Sequence, residues 1–517
     1  MLALIVVCLY LAVLIGVGVV KSRRVDDSTG FILAGRNLGP VVLLGTLLAT
    51  WTGTGSIFGN AEEAYRVGLP SLMLPFASVL GIFALIAMAP RVRQRGRVTL
   101  QDLLEERFGP MARVLGTLTL VTAYLVIVSY QLRAANAVLE GVFSSAGLGE
   151  GFAAGGAAVD DALRSAGLTV EHGGNSLSLL VVTGLIGLYT ALAGLMSVAI
   201  TDGFNGVLML LGVAIALPLV WIAAAGGDAA TGLEASGVVE RVVATLPESG
   251  RSVWGHYSTF DVISRLLPPF LLVLGDANLH QRFLSARTPN AARTAAILLI
   301  PGVLLVDAVI LLTAMAGRAL MPELENPGHI MLSLALDTGI LPAALGALLV
   351  ASILAVIVST ADSYLLSCSA SLVRDVYQRF FRREASERVL LFAARTIVIV
   401  LTALAFLMAL QSSEFFAVSL FAYTIYGVGI TPVLVAALFW KRATTWGAVA
   451  SMVVGPAVAV TWEAQGLSAV AARWMGLPEG TAVGAVVPAV LVSAVVLVSV
   501  SLVTRPRPTG GAEPEAA

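Results

Sequence analysis

Serine, threonine and aspartate crowd into one stretch of an otherwise apolar run, Ser359-Thr360-Ala361-Asp362-Ser363. A lone hydroxyl in a membrane helix commonly bonds back to a carbonyl one turn earlier, whereas a carboxylate in such a run is costly enough to mark function. Hydroxyl, carbonyl and carboxylate oxygens are the ligands of hard cations, and positions 356, 359 and 360, spaced i, i+3, i+4, share one helix face. Two other segments interrupt apolar runs, Ala49-Thr50-Trp51-Thr52-Gly53-Thr54-Gly55-Ser56 and Leu274-Gly275-Asp276-Ala277-Asn278. Backbone groups freed at membrane depth must line a cavity or be buried in protein. Close helix packing accounts for the glycines of the first segment but not for its density of hydroxyls.

These breaks also supply groups for an organic solute. Trp51 either offers a π face to an ammonium, worth about 2 kcal/mol when desolvated, or packs against a neighbouring helix. Asp276 either supplies a counter-charge or caps the broken helix. With Gly55 and Ser56, and with Tyr130 and Gln131 approaching from the fourth span, they form a candidate site for a small polar solute, cationic or zwitterionic. Asp202, near the cytoplasmic end of its span, is either an interfacial cap or part of an ion path with Asp362 and Ser363. Arg133 either binds a carboxylate or pairs with Glu140.

The elements that hold these residues follow from composition. Of 517 residues, 58% are hydrophobic and 12% charged, far from a soluble domain and fitted to a lipid bilayer. A net charge of −1 with basic residues scattered in short clusters leaves no nucleic-acid footprint. Cys8 and Cys368 make neither a disulfide framework nor a metal spacing, and no HExxH, CxxC or P-loop pattern is present. A bilayer core needs roughly 20 apolar residues per helix, and the runs predict an all-α polytopic membrane protein of about thirteen spans. Leu2 to Val20 lacks a preceding basic region and reads as a retained first helix rather than a cleaved signal. Most Lys and Arg then fall on one side, at Lys21 to Arg24, Arg91 to Arg97, Arg282 to Arg293, Arg374 to Arg388, Lys441-Arg442 and Arg505 to Arg507. That bias sets an N-out, C-in topology.

If each break opens a five-helix unit, residues 40–222 and 262–440 form two repeats, and the odd helix count inverts one relative to the other, an arrangement found in alternating-access transporters. Residues 1–39 precede them as a first helix and cytoplasmic loop, 223–261 form an extracellular loop, 441–504 two further helices, and 505–517 a disordered tail.

From about Phe31 to Arg442 the chain resembles the sodium/solute symporter family. The likeness lies in Gly35-Arg36-Asn37-Leu38-Gly39, Tyr189 to Leu195, Val198 to Asp202, and Ser359 to Ser363 leading to Arg374-Asp375. It implies the leucine-transporter fold, a multi-pass location in the plasma (inner) membrane, and symport of a small solute with sodium by alternating access. The family's sodium site maps onto the carbonyls of Ala49, Thr52 and Val356 and the hydroxyls of Ser359 and Thr360. In some relatives a second sodium is held by counterparts of Asp202, Ser359, Asp362 and Ser363, which leaves one ion or two open. Residues 49–62 most resemble the high-affinity choline transporter branch, although Ile127 and Asp276 stand where that branch has further aromatics, and Asn205 replaces its usual Gln. Competing classes are a channel or sensor of the same fold, and a polytopic enzyme. Asp160-Asp161 has no second acidic motif to hold a metal for the last of these.

Overall fold

The computed structural model describes residues 1–22, 36–96, 99–170, 176–224, 238–255, 257–411, 415–477, 481 and 483–505. The expected disordered tail beyond Arg505, all of residues 225–237 and Gly35 of the first motif lie outside them. Among the described residues the protein is helical throughout. Ten helices are long and apolar enough to span a bilayer, and the bent pair α2 (Pro40–Trp51) and α3 (Gly55–Val67) makes an eleventh. The shorter apolar helices Leu2–Gly16 and Ser176–Leu192 take the two remaining places of the expected thirteen.

The second of these is part of a continuous stretch of helical hydrogen bonding, Ser176–Ala224. Yet the hydroxyls of Tyr189 and Thr201 lie 2.8 Å apart, where twelve residues of straight helix would hold them about 18 Å apart. The stretch is therefore not straight between them, and Ser176–Leu192 and Thr201–Ala224 are its two apolar parts.

The helices differ in what they face. In α11 (Ala343–Phe381) 78% of the apolar window is buried, against 28% in the C-terminal helix Val486–Val503. The latter turns Leu491, Val495, Val498 and Leu502 outward, a stripe at helical spacing that suits contact with acyl chains. The hydroxyl- and carboxylate-bearing helix thus runs through the middle of the bundle, where polar groups meet protein rather than lipid.

Both interruptions are present. At the first, α2 ends at Trp51 and α3 departs at 53° to it. Gly53 makes this possible by its lack of a side chain, since a Cβ there would stand 3.0 Å from Gln131 Nε2 and 3.0 Å from Thr360 Cγ2. At the second, α8 (Thr259–Gly275) and α9 (Ala277–Ser285) meet at Asp276, whose ψ of 109° leaves the helical region. Ion pairs tie the cytoplasmic ends together. Arg113, at the start of α6 (Pro110–Ser145), contacts Asp375 at 2.6 Å and Asp102 at 2.7 Å and also pairs with Glu105, which Arg379 meets at 2.8 Å. Burial pushes the Glu105 carboxyl up, but the two guanidiniums outweigh it and hold the group below the usual carboxylate range.

Candidate functional site

The first break frees backbone oxygens. The N–H of Gly53, which an unbroken helix would direct to Ala49, donates to Trp51 O at 3.0 Å. Ser56 and Ile57 N–H both donate to Gly53 O, at 3.0 and 3.1 Å, so Ser56 leaves the carbonyl of Thr52 without its i+4 donor. Ala49 and Thr52 thus each lose a ladder partner at a buried position. Thr360 of α11 packs against this break, and its Oγ1 and that of Thr52 are buried with no hydrogen-bond partner. Val356 and Ser359, on the same face of α11, are fully buried. Unsatisfied buried oxygens from two helices are costly unless something fills the need, and a hard monovalent cation fits that donor set.

Closer to the cytoplasm, Asp202 accepts from the Ser359 hydroxyl, from Thr46 Oγ1 at 2.7 Å and from Arg282 Nη2 at 3.1 Å. Arg282 also donates to Ser363 Oγ at 2.8 Å and to Thr46 Oγ1 at 3.0 Å, and it pairs with the Asn278 side chain. Ser363 in turn donates to Asp362 at 3.3 Å. The structure therefore brings Asp202, Ser359, Asp362 and Ser363 near one another and places a guanidinium among them. Arg282, grouped in the sequence with the cytoplasmic basic residues, is only 1% exposed, because every residue of α9 is buried.

The solute residues divide. Trp51, Gly55, Ser56 and Asp276 line one narrow cavity of about 70 Å³, together with Asp307, Tyr364, Tyr423 and Phe416. Asp276 there acts as a cap, accepting from Asn278 N–H at 2.9 Å and bonded by Tyr124 and, at 3.4 Å, by Tyr364. Gln131 stands outside the cavity wall, its Oε1 bonded by both the N–H and the hydroxyl of Thr54, so it braces the first break. Tyr130 stands one layer back, its hydroxyl 3.3 Å from that of Tyr423. Ile127 is buried in the core and away from the cavity. Glu140 accepts from Asn136 at 2.5 Å, with the charge of Arg133 nearby. Asp307 and Tyr423 escaped the sequence reading. For Asp307 the signal was present, a single carboxylate inside the apolar run of α10 (Pro289–Leu320), and the rule applied to Asp362 would have found it.

On the side away from the basic clusters lies a vestibule of about 690 Å³ whose walls include Glu62, Glu63, Asp261 and Arg265. Phe416 and Leu420 line both spaces, which therefore adjoin, while the Arg282 and Arg113 networks lie on the side of the basic clusters.

The architecture aligns with a Na+-coupled sialic acid symporter in its substrate-bound outward-open state, with a TM-score of 0.72 over 98% of both chains at 18% identity. It also aligns with MhsT bound to L-phenylalanine, with a TM-score of 0.52 over 89% of this chain and 98% of the other at 15% identity. These likenesses define the fold as that of the leucine-transporter class. Residues 31–147 and 168–455 match the Sodium:solute symporter family, and the chain belongs to that family. Among relatives, the High-affinity proline transporter PutP of Bacillus subtilis is 27% identical over 87% of this chain and 90% of its own length. The High-affinity choline transporter 1 of Drosophila melanogaster is 28% identical over 88% of this chain and 69% of its own. The protein is thus a multi-pass membrane transporter rather than an enzyme, of a family that moves small solutes with sodium.

Proposed function

We propose that this protein uses the sodium gradient to carry a small polar solute, cationic or zwitterionic, across the plasma (inner) membrane by alternating access. One observation carries the sodium assignment: the break that frees carbonyls of Ala49 and Thr52 lies against Thr360 of a second helix, and the hydroxyls of Thr52 and Thr360 are buried there without partners. The solute site shares the same interrupted helix, so filling one site orders the other. The names of the relatives supply the first solutes to try, proline and choline. Purified protein in proteoliposomes is expected to accumulate its solute under an inward sodium gradient and to perform solute counterflow in sodium. Accumulation that is undiminished in sodium-free, potassium-clamped vesicles at fixed pH would refute the coupling and leave a facilitator.

The guanidinium beside Asp202 supports a coupling of one ion. Arg282 brings a fixed positive charge and several N–H donors to the oxygens that a second sodium would use. The expected ratio is one sodium per solute, measured as the sodium gradient that just balances a set solute gradient. A ratio of two would show that the ion displaces the guanidinium.

Trp51 forms part of the solute cavity, whereas its neighbours supply the ion. Trp51→Ala should therefore raise the solute Michaelis constant about 30-fold, the equivalent of ~2 kcal/mol of lost cation–π contact, and leave sodium binding in the absence of solute near wild type. Wild-type Michaelis constants in both Trp51→Ala and Trp51→Phe would mean that the indole only packs.

A further inference from the structure

Every other carboxylate of the bundle interior described above has hydrogen-bond donors on it. Asp202 has Arg282 and two hydroxyls, Asp375 has Arg113, Asp276 has two tyrosines and a backbone N–H, and Asp362 has Ser363. Asp307, bonded by Ser56 and Trp51, is 2% exposed, lines the solute cavity, and keeps Oδ1 without a hydrogen-bond partner. Asp375 also keeps an open Oδ2 but has the Arg113 guanidinium on its other oxygen, whereas neither Ser56 nor Trp51 brings a positive charge. Among the described residues no lysine, arginine or histidine lines this cavity. A buried carboxylate without a cation is expensive to maintain, and the cost is met either by a proton on the carboxylate or by a positive charge that arrives with a ligand.

We propose, on the basis of the symport reading above, that Asp307 receives the protonated amine of the transported solute and so selects for solutes that carry an N–H. The open acceptor calls for a donor as well as a charge. A quaternary ammonium supplies the charge but leaves Oδ1 unpaired, and a site built to hydrogen-bond its ligand discriminates strongly against analogues that lack the donor. The remaining walls fit an organic cation better than a bare metal ion. The aromatic rings of Trp51, Tyr364 and Tyr423 surround the carboxylate's cavity, where a sodium ion would need several more oxygens. With room for only a few waters' worth of solute, the ligand is a small amine or amino acid.

The test keeps the body of the ligand constant while its N–H groups are removed. Binding of ethanolamine, N,N-dimethylethanolamine and choline, and of L-proline and its N,N-dimethyl betaine, is followed by thermal stabilisation of the purified full-length protein in sodium and in potassium. Members of at least one series that carry an N–H should bind at least about 100-fold more tightly than its quaternary member. In Asp307→Asn that preference should shrink below about tenfold, while sodium binding without solute stays at the wild-type value and so reports an intact fold. Equal binding of the quaternary members, or no binding by any member, overturns the proposal. So does an Asp307→Asn protein that loses sodium affinity and keeps amine affinity, which would give the carboxylate to a sodium ion. Amine binding that is as tight in potassium as in sodium would instead count against the coupling and leave the role of Asp307 standing.

Discussion

Replacing Arg282 by methionine should destabilise the detergent-solubilised protein by about 3–5 kcal/mol, the cost of removing one partner from a buried ion pair. The guanidinium binds Thr46 on α2, Asp202 on the span that begins near Thr201, Asn278 on its own helix and Ser363 on α11. Methionine fills much of the same space, so the loss reports charge and hydrogen bonds rather than a cavity. Asp202 would keep the hydroxyls of Ser359 and Thr46 but have no cation, and Asp362 would remain beside it. Removing both charges, in Arg282→Met with Asp202→Asn, should recover most of the stability, because the penalty lies in the unpaired charge. A double-mutant cycle on unfolding midpoints measures that coupling. Arg282→Met within about 0.5 kcal/mol of wild type, the range of ordinary surface substitutions, would show that the pair does not brace the helices it joins.

Thr360→Ala should raise the sodium concentration for half-maximal uptake by about 10- to 150-fold, the equivalent of the ~1.5–3 kcal/mol carried by one contact to a charged group. The hydroxyl is buried with no protein partner, so its removal takes an oxygen from the ion and leaves nothing else unpaired. Thr360→Ser should restore most of the affinity. Ser359→Ala is a less direct probe, since that hydroxyl donates to Asp202 and its loss disturbs the Arg282 network as well. Because solute and ion meet on the same interrupted helix, each should tighten the other's binding by an equal factor, and Thr360→Ala should reduce that factor in both directions. Sodium binding measured directly, with and without saturating solute, tests this. Wild-type sodium affinity in Thr360→Ala would remove Thr360 from the site.

Pattern along the chain was enough to settle the solvent, the helical class and the places where helices must break. Hydropathy and span length are local properties, so the long apolar runs were legible without any partner, as were Gly53 and Asp276 as residues out of place in an uninterrupted span. The 356, 359, 360 spacing fixed a shared face for the same reason, since helical periodicity needs only one helix. Which groups those faces meet was decided by the tertiary structure. Arg282 read as one more member of a basic cluster, and only the burial of α9 among other helices brings it to Asp202, 80 residues away. Gln131 read as a solute contact, yet the bend at Gly53 brings the N–H of Thr54 to it and makes it a brace. Asp307 and Tyr423 come from helices more than a hundred residues apart, and no local pattern says that both reach the cavity beside Trp51. The cost of a polar group in an apolar run is set by the bilayer and can be read along the chain, whereas the partner that meets this cost is set by how the helices pack.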